Sequence, residues 1–174
     1  MDVLNELNRV MDEIASEVEG AKDPGKHKQR SWDEYFMGMA QYVGTRSKDP
    51  STKVGAVIVG PDNRVRSTGY NGFPSGVVES SDRTMTRDSR LLYSEHAERN
   101  AMYSAAKAGV PTDKCTIYVC GLSPCADCGR AIIQCGIRRV VVSDNTMPLR
   151  WGDSMIACGK MFEDAGITVA HIPL

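Results

Sequence analysis

The sequence predicts a three-layer α/β domain with a short helical extension in front of it. Three observations carry that prediction. Residues 116–172 alternate strand-length apolar runs with helical segments, a pattern that produces right-handed crossovers and a largely parallel sheet. Residues 54–70 read as two strands flanking Gly60-Pro61-Asp62-Asn63, turn chemistry that makes an antiparallel hairpin. Residues 1–20 repeat apolar positions at helical spacing and are followed by a polar, Pro- and Gly-containing stretch, so they form a unit of their own. The expected sheet is therefore mixed and about five-stranded, an antiparallel first hairpin with a parallel remainder, between helical layers. At 174 residues, 41% of them apolar, the chain is long enough for one proper core.

The elements follow in order. In the first helix Leu4, Met11 and Val18 lie seven apart, as do Val3 and Val10, and Leu7 and Ile14. That stripe reads as a helix packed on its own domain, with contact to another subunit as the alternative. Gly20 to Arg30 reads as a linker, which sets the boundary between an extension (1–30) and a domain (31–174). Ser31 opens a second helix, with Glu34 placed to complete a capping box and Tyr35, Phe36, Met39, Ala40 and Val43 on the buried face. Val54–Val59 and Val65–Tyr70 are the hairpin strands. Residues 72–92, rich in Ser, Arg and Asp and broken by Gly72, Pro74 and Gly76, read as a long loop or flap leading to a helix that carries His96 and Glu98. Thereafter come a strand from Thr116 to Cys120, a helix from Cys125 to about Cys135, a strand Val140–Ser143, a helix from about Ser154 to Ala165, and a strand Thr168–Ile172.

Composition narrows the function. A net charge of −1 argues against a grip on long nucleic acid, which calls for a basic excess or face, and is compatible with a small anionic substrate. No apolar run approaches the roughly 20 residues of a membrane span, and Met1-Asp2-Val3-Leu4-Asn5-Glu6 lacks the basic start and apolar stretch of a secretory signal. Six cysteines could form three disulfides, but a chain of this size needs no staples, and Cys115, Cys120, Cys135 and Cys158 lie in or beside apolar segments where thiols act as small hydrophobes. A reducing cytoplasm is the expected compartment.

The chemistry lies in His96-Ala97-Glu98, followed after 25 intervening residues by Pro124-Cys125-Ala126-Asp127-Cys128. Cys125 and Cys128 are i, i+3 neighbours at a helix N-terminus, whose N–H groups and dipole favour thiolate. With His96 they make three zinc ligands. A structural zinc takes four protein ligands, whereas a catalytic one takes three and leaves a position for water. A carboxylate two residues from the imidazole is placed to move that water's protons, and H-x-E…P-C-x-x-C is the pattern of zinc-dependent nucleobase deaminases. The competing readings are a structural zinc with its fourth ligand elsewhere, His27 and His171 being weak choices, and a redox CxxC, which leaves His96 and Glu98 unexplained.

On these motifs the chain resembles the deoxycytidylate deaminase family of the cytidine-deaminase-like superfamily. The resemblance spans residues ~32–172 and rests on Arg46-Ser47-Lys48-Asp49-Pro50, Val54-Gly55-Ala56-Val57-Ile58, Gly69-Tyr70-Asn71-Gly72-Phe73-Pro74, His96-Ala97-Glu98-Arg99-Asn100-Ala101 and Ser123-Pro124-Cys125-x-x-Cys128. It implies a three-layer α/β/α cytidine-deaminase-like fold and hydrolysis of dCMP to dUMP and ammonia, supplying dUMP for thymidylate synthesis. Hydroxide would attack C4 of cytosine while Glu98 protonates N3 and then the departing amine. One Zn2+ per subunit would sit on His96, Cys125 and Cys128. Val54 and Ala56 would wall the pyrimidine and Asn71 would bond the sugar or base edge. Ser47 and Lys48 are the phosphate candidates, and Arg83, Arg87 and Arg90 in the flap are further cations among which spacing does not choose. The resemblance also implies a homohexamer activated by dCTP and inhibited by dTTP, with Mg2+ accompanying the regulatory triphosphate. Two departures stand out: the long N-terminal extension, and Asn145-Thr146-Met147 where the pattern often has Tyr. Two rivals stay open: a deaminase of tRNA or single-stranded DNA, which calls for a basic groove and stacking aromatics, and a non-catalytic zinc-stabilised module.

Overall fold

The structure, a computed structural model, describes residues 3–20, 29–144 and 152–173. The linker between Gly20 and Gln29, with His27, and the segment Asn145-Thr146-Met147 lie outside the described residues. Among the described residues, seven helices and five strands run in the order α1 (Val3–Gly20), α2 (Trp32–Gly44), β1 (Gly55–Val59), β2 (Val65–Tyr70), α3 (Ser81–Thr84), α4 (Arg87–Tyr93), α5 (Ala97–Lys107), β3 (Thr116–Cys120), α6 (Ala126–Gln134), β4 (Arg139–Ser143), α7 (Gly152–Asp164) and β5 (Thr168–Ile172).

The strands form one sheet in the order β2-β1-β3-β4-β5. The hairpin is antiparallel, Gly55 facing Tyr70, with a register shift between Ile58 and Val59. β3 also joins β1 antiparallel, Gly55 opposite Cys120, and only β3-β4-β5 is parallel. The change of direction therefore falls between β1 and β3, inside the stretch the sequence reads as hairpin plus parallel remainder. Alternation across the sheet separates two cores. Ala56, Ile58, Ile117, Val119, Val140 and Val142 face α5, α6 and α7, while Val57, Val59, Tyr118 and Val141 face Phe36, Met37 and Ala40 of α2. This is the expected α/β/α sandwich.

α2 begins at the expected capping box: Glu34 N–H donates to Ser31 Oγ, and Ser31 N–H donates to the Glu34 carboxylate at 2.6 Å. It is pinned to the sheet by Asp33, which takes two hydrogen bonds from the Arg139 guanidinium (2.7 and 2.6 Å) and one from Tyr118 Oη (2.8 Å). On the other face, Gly69 of β2 lets α5 approach the sheet. A Cβ there would collide with the Ala97 carbonyl oxygen and the Ala101 nitrogen, so the glycine fixes how closely the His96 helix sits.

Two expectations change. Leu7, Val10, Met11 and Ile14 of α1, expected to pack on the domain, are exposed, so among the described side chains this part of the stripe is uncovered; a periodic stripe shows that a face can be buried, not what covers it. The polar flap holds two short helices, α3 and α4. Its ends are tied by a two-residue bridge, Gly72 N–H donating to Glu95 C=O (3.0 Å) and Glu95 N–H to Gly72 C=O (2.8 Å). Thr86 and Ser89 cap α4 reciprocally, and Phe73 packs against Tyr93 with ring centroids 5.7 Å apart.

Candidate active site

Two helix N-termini meet beyond the C-terminal end of β3, where ligand sites of open α/β sheets lie. His96 is the N-cap residue of α5 and Cys125 that of α6. Pro124 stands just before that cap. Gly121, at φ 118, turns the chain off β3 with its Cα against the Lys53 carbonyl, where a side chain would not fit. Ser154 of α7 accepts the Ala126 N–H at 3.0 Å and so fixes the first turn of α6 from a neighbouring element. His96 is oriented through its own N–H, which donates to Glu95 Oε1 (2.8 Å). The same oxygen takes the Arg99 guanidinium.

His96 Nδ1 lies 3.5 Å from Cys125 Sγ and 3.4 Å from Cys128 Sγ, and the three ligand atoms all fall within 4.8 Å of one another. A tetrahedral zinc with bonds of roughly 2.0–2.3 Å separates nitrogen and sulfur ligands by roughly 3.6 Å. The donor set is therefore already at the spacing of a zinc site. Among the described residues no fourth ligand joins the cluster, and His171 lies apart, 3.8 Å from Asp144. Three protein donors are the number that a catalytic zinc takes, against four for a structural one.

The electrostatics favour the thiolate at Cys125 and oppose it at Cys128. The Cys125 thiol is lowered to about 3, first by the hydrogen bond from Cys128 and next by that from His96, against burial. The same hydrogen bond, together with burial, keeps the second proton on Cys128 and pushes that thiol far up. His96 is held above its ordinary value by Cys125, with burial opposing and Glu98 adding attraction. Glu98, in the first turn of α5 and 3% exposed, is raised above the ordinary carboxylate value by burial, the direction that suits a carboxyl which must both hold and release a proton.

Glu98 and His96 line a cleft of about 780 Å³, counted with its open mouth, whose apolar wall includes Val54, Leu91, Leu122 and Met155. Val54 and Asn71 line it as the sequence suggests. Asn71, however, uses its amide on the protein: Oδ1 accepts the Val54 N–H (2.8 Å) and Nδ2 donates to the Thr52 carbonyl (2.9 Å). Ala56 is fully buried in the core behind Val54. Ser47 is buried, donating to the Asn71 carbonyl (2.8 Å) and accepting the Asp49 N–H. Lys48 pairs with Glu79 at 3.0 Å and lines a neighbouring hollow with Arg46, Tyr70 and Phe73. Of the three flap cations among which the sequence does not choose, Arg87 and Arg90 of α4 line the cleft and Arg83 does not, while Leu91, Leu122 and Met155 line it without being singled out in the sequence. The signal was the cap at Thr86, which puts Arg87, Arg90 and Leu91 on one helical face.

An α/β/α sandwich with a half-buried histidine and two buried cysteines at zinc-ligand spacing, and a buried carboxyl lining the same cleft, defines a zinc-dependent hydrolytic deaminase. Residues 30–144 match the model of the "Cytidine and deoxycytidylate deaminase zinc-binding region". The chain is 41% identical over 145 residues to "Uncharacterized deaminase in luxG 3'region" of Aliivibrio fischeri, covering 82% of this chain and 95% of that protein. It is 38% identical over 143 residues to the deoxycytidylate deaminase of Homo sapiens, covering 79% and 77%. The structure of dCMP deaminase from the cyanophage S-TIM5 in complex with dCMP and dUMP superposes with a TM-score of 0.65 at 26% identity, covering 84% of this chain and all of that one. The chain belongs to the cytidine and deoxycytidylate deaminase family.

Proposed function

We propose that this protein hydrolyses the C4 amine of dCMP, giving dUMP and ammonia. The observation that carries the reading is the convergence of His96, Cys125 and Cys128 with buried Glu98 in one cleft. The chemistry zinc supplies when bound there is acidification of a coordinated water, which delivers hydroxide near neutral pH. Glu98 moves the protons, one to N3 of the pyrimidine and one to the departing amine. Val54, Leu122 and Met155 hold the ring and exclude bulk water. Asn71 fixes the wall through Val54 and Thr52, and its second amide hydrogen is available to the sugar. The choice of dCMP is supported by the likeness to the human enzyme and to the cyanophage enzyme that binds dCMP and dUMP.

The further expectations belong to the same proposal. Residues 1–30 are an extension and 31–174 the catalytic domain, an organisation supported by a family match that begins at residue 30. The six cysteines are free thiols, in keeping with a reducing cytoplasm, and among the described residues no helix is long and apolar enough to cross a membrane. The dUMP product would feed thymidylate synthesis. Activation by dCTP and inhibition by dTTP with Mg2+ are supported by the hollow that holds Arg46 and Lys48 beside the cleft. A homohexamer follows from the resemblance, and the exposed stripe of α1 offers it a contact surface. Ammonia release by the zinc-loaded protein from dCMP, set against release from a cytosine-containing oligonucleotide, tests the reading: release from the oligonucleotide alone would overturn it.

A further inference from the structure

The flap carries three arginines, and the fold treats them differently. Arg83 is engaged within the flap and does not line the cleft: its guanidinium lies 4.9 Å over the Tyr93 ring and donates to the Val78 carbonyl at 3.1 Å, although its buried Nε, like that of Arg90, has no acceptor. Arg87 and Arg90, one turn apart on α4, both line the cleft that holds Glu98 and His96. Arg90 donates from Nη1 to the Thr84 carbonyl (3.1 Å), while its buried Nε has no acceptor. Arg87 is exposed and makes no hydrogen bond or ion pair among the described residues.

The acids of the cleft do not absorb this charge. Glu95 is occupied by Arg99 (2.5 Å) and by the His96 N–H. Asp49 Oδ1 already accepts from Ser51 N–H, Ser51 Oγ and Thr52 N–H at 2.8 to 2.9 Å, although the carboxylate still feels the charge of Arg90. Glu98 is buried at the opposite, reacting end. The cleft thus pairs a proton-transferring floor with a cationic wall that has guanidinium donors to spare. Guanidinium donors match the geometry of phosphate oxygens and bind them in pairs.

We propose that Arg90, assisted by Arg87, binds the phosphate of the substrate and sets the preference for a nucleoside monophosphate over the free nucleoside. The proposal rests on the deaminase reading of the same cleft. It places phosphate recognition on the flap ahead of Lys48, which pairs with Glu79 in the neighbouring hollow that Arg90 also lines, and of Ser47, whose hydroxyl is buried in the loop that supports Asn71. The bridge between Gly72 and Glu95 ties the two ends of the flap that carries α4.

The test measures kcat/KM of the zinc-loaded protein for dCMP and for deoxycytidine, and binding of the products dUMP and deoxyuridine by calorimetry. Arg90→Gln is expected to lower the dCMP-to-deoxycytidine ratio by roughly 10- to 100-fold, the loss of a charged hydrogen-bonded contact, with a parallel loss in dUMP over deoxyuridine binding. Arg87→Gln, at an exposed position that does not threaten folding, lowers the ratio less, by roughly 3- to 10-fold, and Arg90→Lys recovers part of it. Arg83→Gln removes the same charge from the same flap and leaves the ratio unchanged. Equal turnover of dCMP and deoxycytidine by the parent protein would overturn the phosphate assignment while leaving the deaminase reading intact. An equal fall on both substrates in Arg90→Gln, or an unaltered ratio in both Arg87 and Arg90 variants, would overturn it as well. Absence of cytosine deamination on either substrate would overturn both readings.

Discussion

Glu98→Gln separates metal binding from proton transfer. The substitution keeps the side chain's size and removes its ability to carry a proton at neutral pH. No other acid in the cleft can take over: Glu95 is tied to Arg99 and to the His96 amide, and Asp49 to the amides of residues 51 and 52. General acid–base catalysis contributes about 10²–10⁴-fold for a transferred proton, and here the same carboxyl serves N3 and the leaving amine. The expected loss in kcat is therefore about 10⁴-fold, or about 5.5 kcal/mol in the barrier. Stability is expected to hold or rise, because the amide escapes the burial cost that pushes the Glu98 carboxyl upward. The assay is ammonia release from dCMP beside zinc content by mass spectrometry. His96→Ala serves as the contrast and is expected to lose zinc and turnover together. Turnover of Glu98→Gln within tenfold of the parent, with zinc retained, would refute the role given to this carboxyl.

Two further perturbations address the scaffold. Gly69→Ala forces a methyl into the Ala97 carbonyl and the Ala101 nitrogen of α5. It is expected to cost about 2–3 kcal/mol, a fall of roughly 5–10 °C in Tm read by thermal unfolding, and to lower kcat by tilting His96 and Glu98; an unchanged Tm would show that the helix can retreat. Asp33→Asn removes the anion that the hydrogen bond from Arg139 holds below the usual carboxylate range, burial opposing and Tyr118 adding to the effect. A depressed folded-state pKa means the contribution is present above the unfolded value of about 3.9 and is lost as pH falls through the folded value. The pair is partly exposed, so the variant should be about 1 kcal/mol less stable at pH 7 in urea unfolding. The gap should close toward pH 3, and a gap of equal size at both pH values would exclude the ion pair as its source.

The parts of this molecule that a reader of the sequence can find are those built from neighbours along the chain. Ser31 and Glu34 form their box because three residues of helix bring them together, and Cys125 and Cys128 share a face for the same reason. The hairpin and the β3-to-β5 alternation are visible because apolar runs of strand length sit between turn residues. What could not be read depends on contacts across the fold. The flap looks like a loop because α3 and α4 have no apolar stripe of their own; they are fixed by the bridge of Gly72 to Glu95 and by Phe73 on Tyr93. Ser47 is a phosphate candidate by resemblance alone, and its neighbours along the chain do not reveal that its hydroxyl donates to the carbonyl of Asn71, twenty-four residues away. The α1 stripe suggested a packed helix because periodicity names a face and not its partner.

The division follows from what each task requires. Holding a metal at tetrahedral spacing requires sub-ångström placement of a few atoms, and a helix turn supplies that locally: Cys125 and Cys128 come from one turn, and His96 and Glu98 from another. Choosing a nucleotide over a nucleoside requires charge several ångströms from the reacting carbon. No single turn reaches both places, so that charge must come from an element that folds back over the cleft. α4 is such an element, and the residues that hold it there are Gly72 and Glu95. Since Gly72 follows Asn71 and Glu95 precedes His96, the flap hangs between one residue lining the base pocket and the first zinc ligand. Arg90 stands on that flap and outside the zinc motif, which makes it the position where specificity can change without loss of the chemistry.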